Sequence, residues 1–248
     1  MPGIDFIDDL RASPNSALAI ERYRKLAREY DASCWRIEPL RALAIQALAL
    51  QPGERVLDVA CGTGSTVVTM ARQVGPTGRV LGIEQSPEMA GIARQRLEDA
   101  GITHAEIVTA DVRRVSRPFD ADAVLCSFTH DVLQSPDAIA RIRQLSKSGA
   151  RIAVLGARTL SWWWGWPANL FLMWRGRRYL TTFHGLANPC ARLAAQCEEL
   201  EFKGAWHAGT SYLTVGRLLE PQHPQLINER DVSVIEPAPP TRRKFANQ

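Results

Sequence analysis

The run VLDVACGTGSTVVTMA, residues 56–71, constrains the fold more than any other stretch of the chain. Its apolar opening reads as a buried strand, Gly62 and Gly64 as a turn, and the remainder as the first turns of a helix. A strand that feeds a helix through a glycine turn opens a βαβ unit. The rhythm continues: strands at 55–60, 79–84, 105–110, 121–127 and 150–156 alternate with helices at 64–74, 86–100 and 136–146. After a helix near 190–200, strands 202–208 and 211–218 are separated only by Gly209 and Thr210, which suits an antiparallel hairpin. The pattern predicts an α/β fold with parallel strands, right-handed crossovers and helices on both faces. Helices at 16–31 and 39–50 precede it, the second stopping at Pro52-Gly53.

In such sheets ligands bind beyond the carboxyl ends of the strands, so the glycine turn raises the question of its occupant. Glu84 ends the second strand 20 residues after Gly64, where a carboxylate can accept from two ribose hydroxyls. A nicotinamide dinucleotide fits equally well to this point. Three details turn the reading. The third glycine of the dinucleotide pattern is Val67 here. Asp58, inside the first strand, would repel a pyrophosphate and attract a cationic amino acid moiety. Asp111, after the third strand, can accept from the exocyclic amine of adenine. These residues describe a ligand with an adenosine, an amino group and no phosphates: S-adenosyl-L-methionine, with S-adenosyl-L-homocysteine as its demethylated product.

Residues 53–156 resemble the class I S-adenosylmethionine-dependent methyltransferase core in the ordered motifs GERVLDVACGTG, GRVLGIEQSPEMAGIAR, VTADV and ADAVLCSFTHDVLQSP. The resemblance extends over roughly 40–217 and is nearest to the small-molecule, quinone-biosynthesis-like branch. It implies a Rossmann-like, seven-stranded, mostly parallel sheet with a terminal antiparallel hairpin. It also implies that Asp58, Ala60, Gly62 and Gly64 surround the methionine part and that Glu84 holds the ribose. Gln85 and Met89 would flank the adenine, Asp111 and Val112 would read its edge, and Ser127 would border the site. Met89 fits simple helix packing as well. Ala60 stands where the usual loop has its first glycine, and KSGAR at 147–151 stands where proline and two glycines are frequent.

Methyl transfer from a sulfonium is an in-line displacement, and a base is needed when the acceptor is a phenol or an acidic carbon. His130, just after the fourth strand, is the candidate base and Asp131 its candidate orienting partner; closure of the turn is the other reading of His130. Tyr30 is expected to contact the cofactor from an N-terminal helical lid, or else to pack on the sheet. Cys61 and Cys126 read as small core residues.

The segment 158–187 breaks the alternation with SWWWGWPANLFLMWRGRRYL. Trp163, Trp166, Arg175, Arg178 and His184 are expected to line the acceptor pocket, arginine stacking on or pairing with an apolar, in one version anionic, aromatic, quinone-like or polyketide-like molecule. Tryptophan beside arginine equally suits peripheral membrane contact through 158–180 with a lipid acceptor, or a homodimer interface. From Ala138 to Cys197 there are nine Lys and Arg and no Asp or Glu. A non-catalytic module that binds the cofactor and a partner is the competing class. Nucleic acid is not expected as a substrate, since SFTHD follows strand four where a flipped-base signature would stand.

The division expected is a lid segment at 1–50, a core at 51–218 and a disordered tail at 219–248, with a mobile lead-in over the first fifteen residues. The five cysteines lack zinc spacing, so no metal is expected, and reduced thiols suit a cytoplasmic protein. No secretory signal and no apolar run of about 20 residues is visible.

Overall fold

The computed structural model describes residues 13–219. The lead-in up to residue 12 and the tail beyond residue 219 lie outside the described residues. The centre is one sheet of β1 (Arg55–Val59), β2 (Arg79–Glu84), β3 (Ala105–Thr109), β4 (Ala121–Ser127), β5 (Ser146–Ala157), β6 (Cys197–Trp206) and β7 (Ser211–Leu218). The spatial order is β3-β2-β1-β4-β5-β7-β6. Strands β1 to β5 pair in parallel, and β7 runs antiparallel to both β5 and β6. This is the expected Rossmann-like, seven-stranded sheet with a terminal hairpin. The chain builds outward from β1 to β3 and returns to place β4 beside β1. A crevice therefore opens at the carboxyl ends of β1 and β4.

Alternation along the strands feeds two cores. Leu57, Val59, Leu81, Ile83, Val124 and Cys126 share one with Ala138, Ile139 and Ile142 of helix α7 (Pro136–Gln144). Val56, Val80, Ala123 and Leu125 share the other with helices α3 (Glu38–Ala47), α4 (Ser65–Val74) and α5 (Pro87–Asp99). Helix starts follow local chemistry. Ser86 and Ser135 accept from backbone N–H groups of α5 and α7, and each is followed by a proline that lacks the donor a first turn leaves unused.

Elements at four places differ from expectation. The first helix ends at Leu26, giving α1 (Ser16–Leu26), a turn and α2 (Tyr30–Cys34). Its apolar spacing persisted because Tyr23, Ala27 and Tyr30 all pack toward Met89 across the break. The helix near 190–200 is only α9 (Ala191–Ala194), because β6 already pairs with β7 from Cys197. Strand β5 starts at Ser146, so KSGAR lies within it. One helical turn, α6 (His130–Leu133), follows β4 directly.

The largest addition is α8 (Trp162–Gly176), a helix of 15 residues that the sequence reading left without structure. Its buried face carries mostly small residues and its large apolar side chains face outward, which hides the usual helical signal. Among the described residues no helix is long and apolar enough to cross a membrane.

Candidate active site

The turn after β1 runs through the left-handed region at Ala60 (φ 54°), Gly62 (φ 58°) and Gly64 (φ 79°). For Ala60 that conformation costs about 1–2 kcal/mol, and strain of this kind is concentrated at functional sites. The two glycines serve different ends. A Cβ on Gly62 would stand 3.6 Å from Met89 Cε and 3.7 Å from Tyr30 Cε1, so its absence widens a ligand cavity. A Cβ on Gly64 would stand 2.9 Å from Ala93 Cβ, so this glycine lets α4 begin against α5.

Two cavities meet at the crevice and share Ala19, Ala60, Gln85, Asp131 and Val132 as walls. The smaller, about 60 Å³, is lined by Tyr30, Gly62, Glu84, Met89, Ser127 and His130 among others. The larger, about 310 Å³, reaches Asp111, Val112 and Ser135. Glu84 is buried, which raises the pKa of its carboxyl, and backbone N–H groups counter this. Its Oε1 accepts from Ser86 N at 2.8 Å and its Oε2 from Gly62 N at 3.0 Å. Each oxygen keeps a second lone pair, enough for a ribose diol.

Asp58 lies fully buried beneath the turn and lines neither cavity. Its Oδ2 accepts from Thr66 Oγ1 at 2.5 Å, while Oδ1 has no partner. Burial pushes its carboxyl up to about 7, against the opposing effects of Thr66 and Arg41. A buried carboxylate short of a partner suits a ligand that brings a positive charge. These features fit S-adenosylmethionine: acceptors for the ribose at Glu84, a glycine-floored cavity, and unbalanced negative charge beneath it.

His130 opens α6 and is buried. Its Nε2 lies 2.9 Å from the carbonyl oxygen of His184. A carbonyl only accepts, so Nε2 carries the proton and the neutral ring offers a lone pair at Nδ1. Nδ1 has no protein partner. Burial lowers the pKa of His130, with Asp131 opposing, which keeps the ring neutral at neutral pH. Asp131 does not bond the imidazole. Its Oδ2 accepts from the N–H of Thr181 at 3.1 Å and from its hydroxyl at 2.5 Å. Ser127 Oγ, Thr129 Oγ1 and Asp131 Oδ1 are also buried without partners, so unsatisfied polar atoms gather around the smaller cavity.

Helix α2 roofs this cavity. Tyr30 meets Tyr23 and Tyr179 edge-on, with ring centres 5.9 and 6.3 Å apart, and its hydroxyl accepts from Arg41 Nη2 at 3.2 Å. Asp31 holds the roof to the glycine turn by accepting from Thr63 Oγ1 at 2.5 Å and pairing with Arg96. Arg41, Asp31, Thr63, Thr66, Thr129 and Thr181 carry no site role in the sequence reading. Only Thr66, in the first turn after the glycines, had a positional signal.

Of the expected cofactor residues, Tyr30, Ala60, Gly62, Glu84, Gln85, Met89, Asp111, Val112 and Ser127 line the cavities, whereas Asp58 and Gly64 lie behind the wall. Asp111 is engaged by Arg113 and by Ser16, whose hydroxyl is 3.2 Å away. Of the expected acceptor residues, Trp163, Trp166, Arg175, Arg178 and His184 line neither of these two cavities. Helix α8 turns Gly165, Asn169, Met173 and Gly176 inward, which sends the tryptophans outward. His184 serves through its carbonyl, its side chain being exposed. Burial raises the Cys61 and Cys126 thiols, consistent with core roles. Among the described residues no cluster of His, Cys, Asp and Glu could hold a metal ion.

Residues 56–149 match a methyltransferase domain family. Over 118 residues the chain is 33% identical to the ubiquinone/menaquinone biosynthesis C-methyltransferase UbiE of Pseudomonas fluorescens, covering 46% of each protein. Over 96 residues it is 32% identical to the demethylmenaquinone methyltransferase of Oceanobacillus iheyensis, covering 39% of this chain and 34% of that one. The chain thus spans a third to a half of the length of these curated relatives. A solved S-adenosylmethionine-dependent methyltransferase from Aquifex aeolicus shares the fold. The TM-score is 0.54 at 18% identity, over 81% of this chain and 98% of the other. The match over residues 56–149 and the partial likeness to these relatives support a class I S-adenosylmethionine-dependent methyltransferase domain, and the solved structure shares its fold.

Proposed function

We propose that this protein transfers a methyl group from S-adenosylmethionine to an apolar small molecule of the aromatic or quinone-like kind, whose reacting atom gives up a proton. The observation that carries the reading is the lone pair of His130 Nδ1, presented without a partner beside the cavity that Gly62 and Glu84 line. The cofactor supplies an electrophilic methyl on a sulfonium and leaves as a neutral thioether. Glu84 binds the ribose hydroxyls, and Gly62 and Ala60 admit the methionine part. The buried charge of Asp58 favours its ammonium from beneath the turn. His130 Nδ1 takes the proton from the acceptor, and Asp131, tied to Thr181, favours the imidazolium that results. The roof of Tyr30 and Tyr23 excludes water. The relatives named for quinone C-methylation support an acceptor of that class.

The test is calorimetric titration with S-adenosylmethionine and S-adenosylhomocysteine, followed by turnover with phenolic and quinol acceptors. His130→Ala is expected to leave cofactor affinity unchanged and to slow turnover ~10²-fold or more. Unchanged turnover in that variant makes His130 a structural residue. Failure of the wild-type protein to bind either ligand shifts the reading to a partner-binding module.

A further inference from the structure

Helix α8 reverses the usual amphipathic arrangement. About 22 Å long at the standard rise, it turns two glycines, Asn169 and Met173 toward the protein. The side chain of Asn169 is spent on the backbone of Leu160, bonding its N–H at 2.7 Å and its carbonyl at 2.9 Å. A Cβ on Gly165 would stand 2.4 Å from Leu160 Cβ, so only a small residue fits there. The large residues face outward: Trp163 is 84% exposed, Trp174 68% and Phe171 61%, with Trp164 and Leu170 beside them. At the C-terminal end of α8 the strip reaches α2, where Arg175 Nη2 lies 3.5 Å from the carbonyl of Ser33 and Tyr179 bonds its hydroxyl at 3.2 Å. There Trp35, 65% exposed, carries Arg36 above its ring at 5.0 Å. A protein surface seldom leaves this much contiguous aromatic area uncovered without a partner.

Charge selects the partner. Arg175, Arg177 and Arg178 follow the aromatic run, and no Asp or Glu occurs between Ala138 and Cys197. On the adjoining helices Asp31 and Glu38 are paired with Arg96 and Arg41. Indole rings prefer the headgroup level of a bilayer, guanidinium groups pair with lipid phosphates, and a helix with this face lies in the plane of the interface. We infer that α8, extended by Trp35 and Arg36 of the α2 end, docks this protein on the surface of an anionic phospholipid bilayer. The docking needs no methyl transfer. Its use does rest on the proposed function: the strip adjoins α2, the roof of the cofactor cavity, so an apolar acceptor dissolved in lipid is delivered beside the site.

The experiment is cosedimentation of the full chain, without cofactor, with vesicles of phosphatidylcholine alone or containing about 30% phosphatidylglycerol, a composition that presents a negative surface potential. Tryptophan emission and sedimentation velocity are read in parallel. The expected result is binding to the anionic vesicles with a blue shift, weak binding to the neutral ones, and release by salt. The surface double variant Phe171→Ser/Trp174→Ser is expected to bind at least tenfold more weakly, with S-adenosylmethionine affinity unchanged as the control for folding. Equal binding to both vesicles, or wild-type binding by the variant, overturns the assignment. So does absence of binding: a dimer broken by the same substitutions then makes the strip a self-association face. A monomer that binds neither vesicle overturns the assignment as well. Cofactor titration without vesicles remains a separate readout, so failure here is distinct from failure of methyl transfer.

Discussion

Asp58→Asn separates the charge beneath the glycine turn from its shape. The folded carboxyl is pushed from 3.8 up to about 7 by burial. Between those values the folded state binds more protons than the unfolded one, so this group's effect is to lower stability as pH rises through that window. At 1.36 kcal/mol per pKa unit, the full shift amounts to about 4 kcal/mol above neutrality, and roughly 3 kcal/mol of it falls between about pH 5 and about pH 8. Asparagine keeps an acceptor for Thr66 Oγ1 and cannot ionise. Urea unfolding of both proteins without cofactor is therefore expected to show Asp58→Asn gaining on wild type by about that amount over the pH interval. Comparing the two proteins cancels every titration they share. The same variant is expected to bind S-adenosylmethionine at least tenfold more weakly at about pH 8, because the ammonium loses its buried counter-charge. A stability difference independent of pH refutes the buried-charge argument, whatever the affinity does.

The two glycines of the turn should respond differently to alanine. Gly64→Ala is expected to destabilise by roughly 3 kcal/mol, combining left-handed strain with overlap on Ala93, whereas Gly62→Ala should cost about 1 kcal/mol. Equal losses in chemical denaturation would count against the packing role of Gly64. For His130, burial lowers the pKa, so kcat at saturating cofactor should rise with pH to a plateau, with its midpoint below the ordinary histidine value of about 6.5. A midpoint shifted upward in the pH profile would exclude His130 Nδ1 as the base.

The elements most legible in the sequence are those whose neighbours leave a regular imprint. The buried strands alternate between two cores, and Gly62, Gly64 and Glu84 stand at fixed distances from β1 and β2, so their placement followed from spacing. The surroundings of His130 and Asp131 were less legible because their partners are generic. The acceptor for His130 Nε2 is a backbone carbonyl 54 positions away, which any residue supplies. Asp131 is held by Thr181, one threonine among several. Helix α8 was hidden for a different reason: it buries a stripe of small residues, and the eye for amphipathicity looks for a stripe of large ones. The expectation that its tryptophans line the acceptor pocket came from reading a tryptophan-rich patch beside arginines as a binding surface.

The latch between Asp31 and the glycine turn imposes a timetable. The cavity beneath α2 is narrow, about 60 Å³, and Asp31 closes it through Thr63 and Arg96, so a swing of α2 away from these partners widens the way in. Once the latch re-forms over a bound molecule, the same contacts retard its departure. For the proposed reaction the consequence is an order of binding, cofactor first and its demethylated form last, and Asp31→Ala is expected to shorten the residence of the bound cofactor.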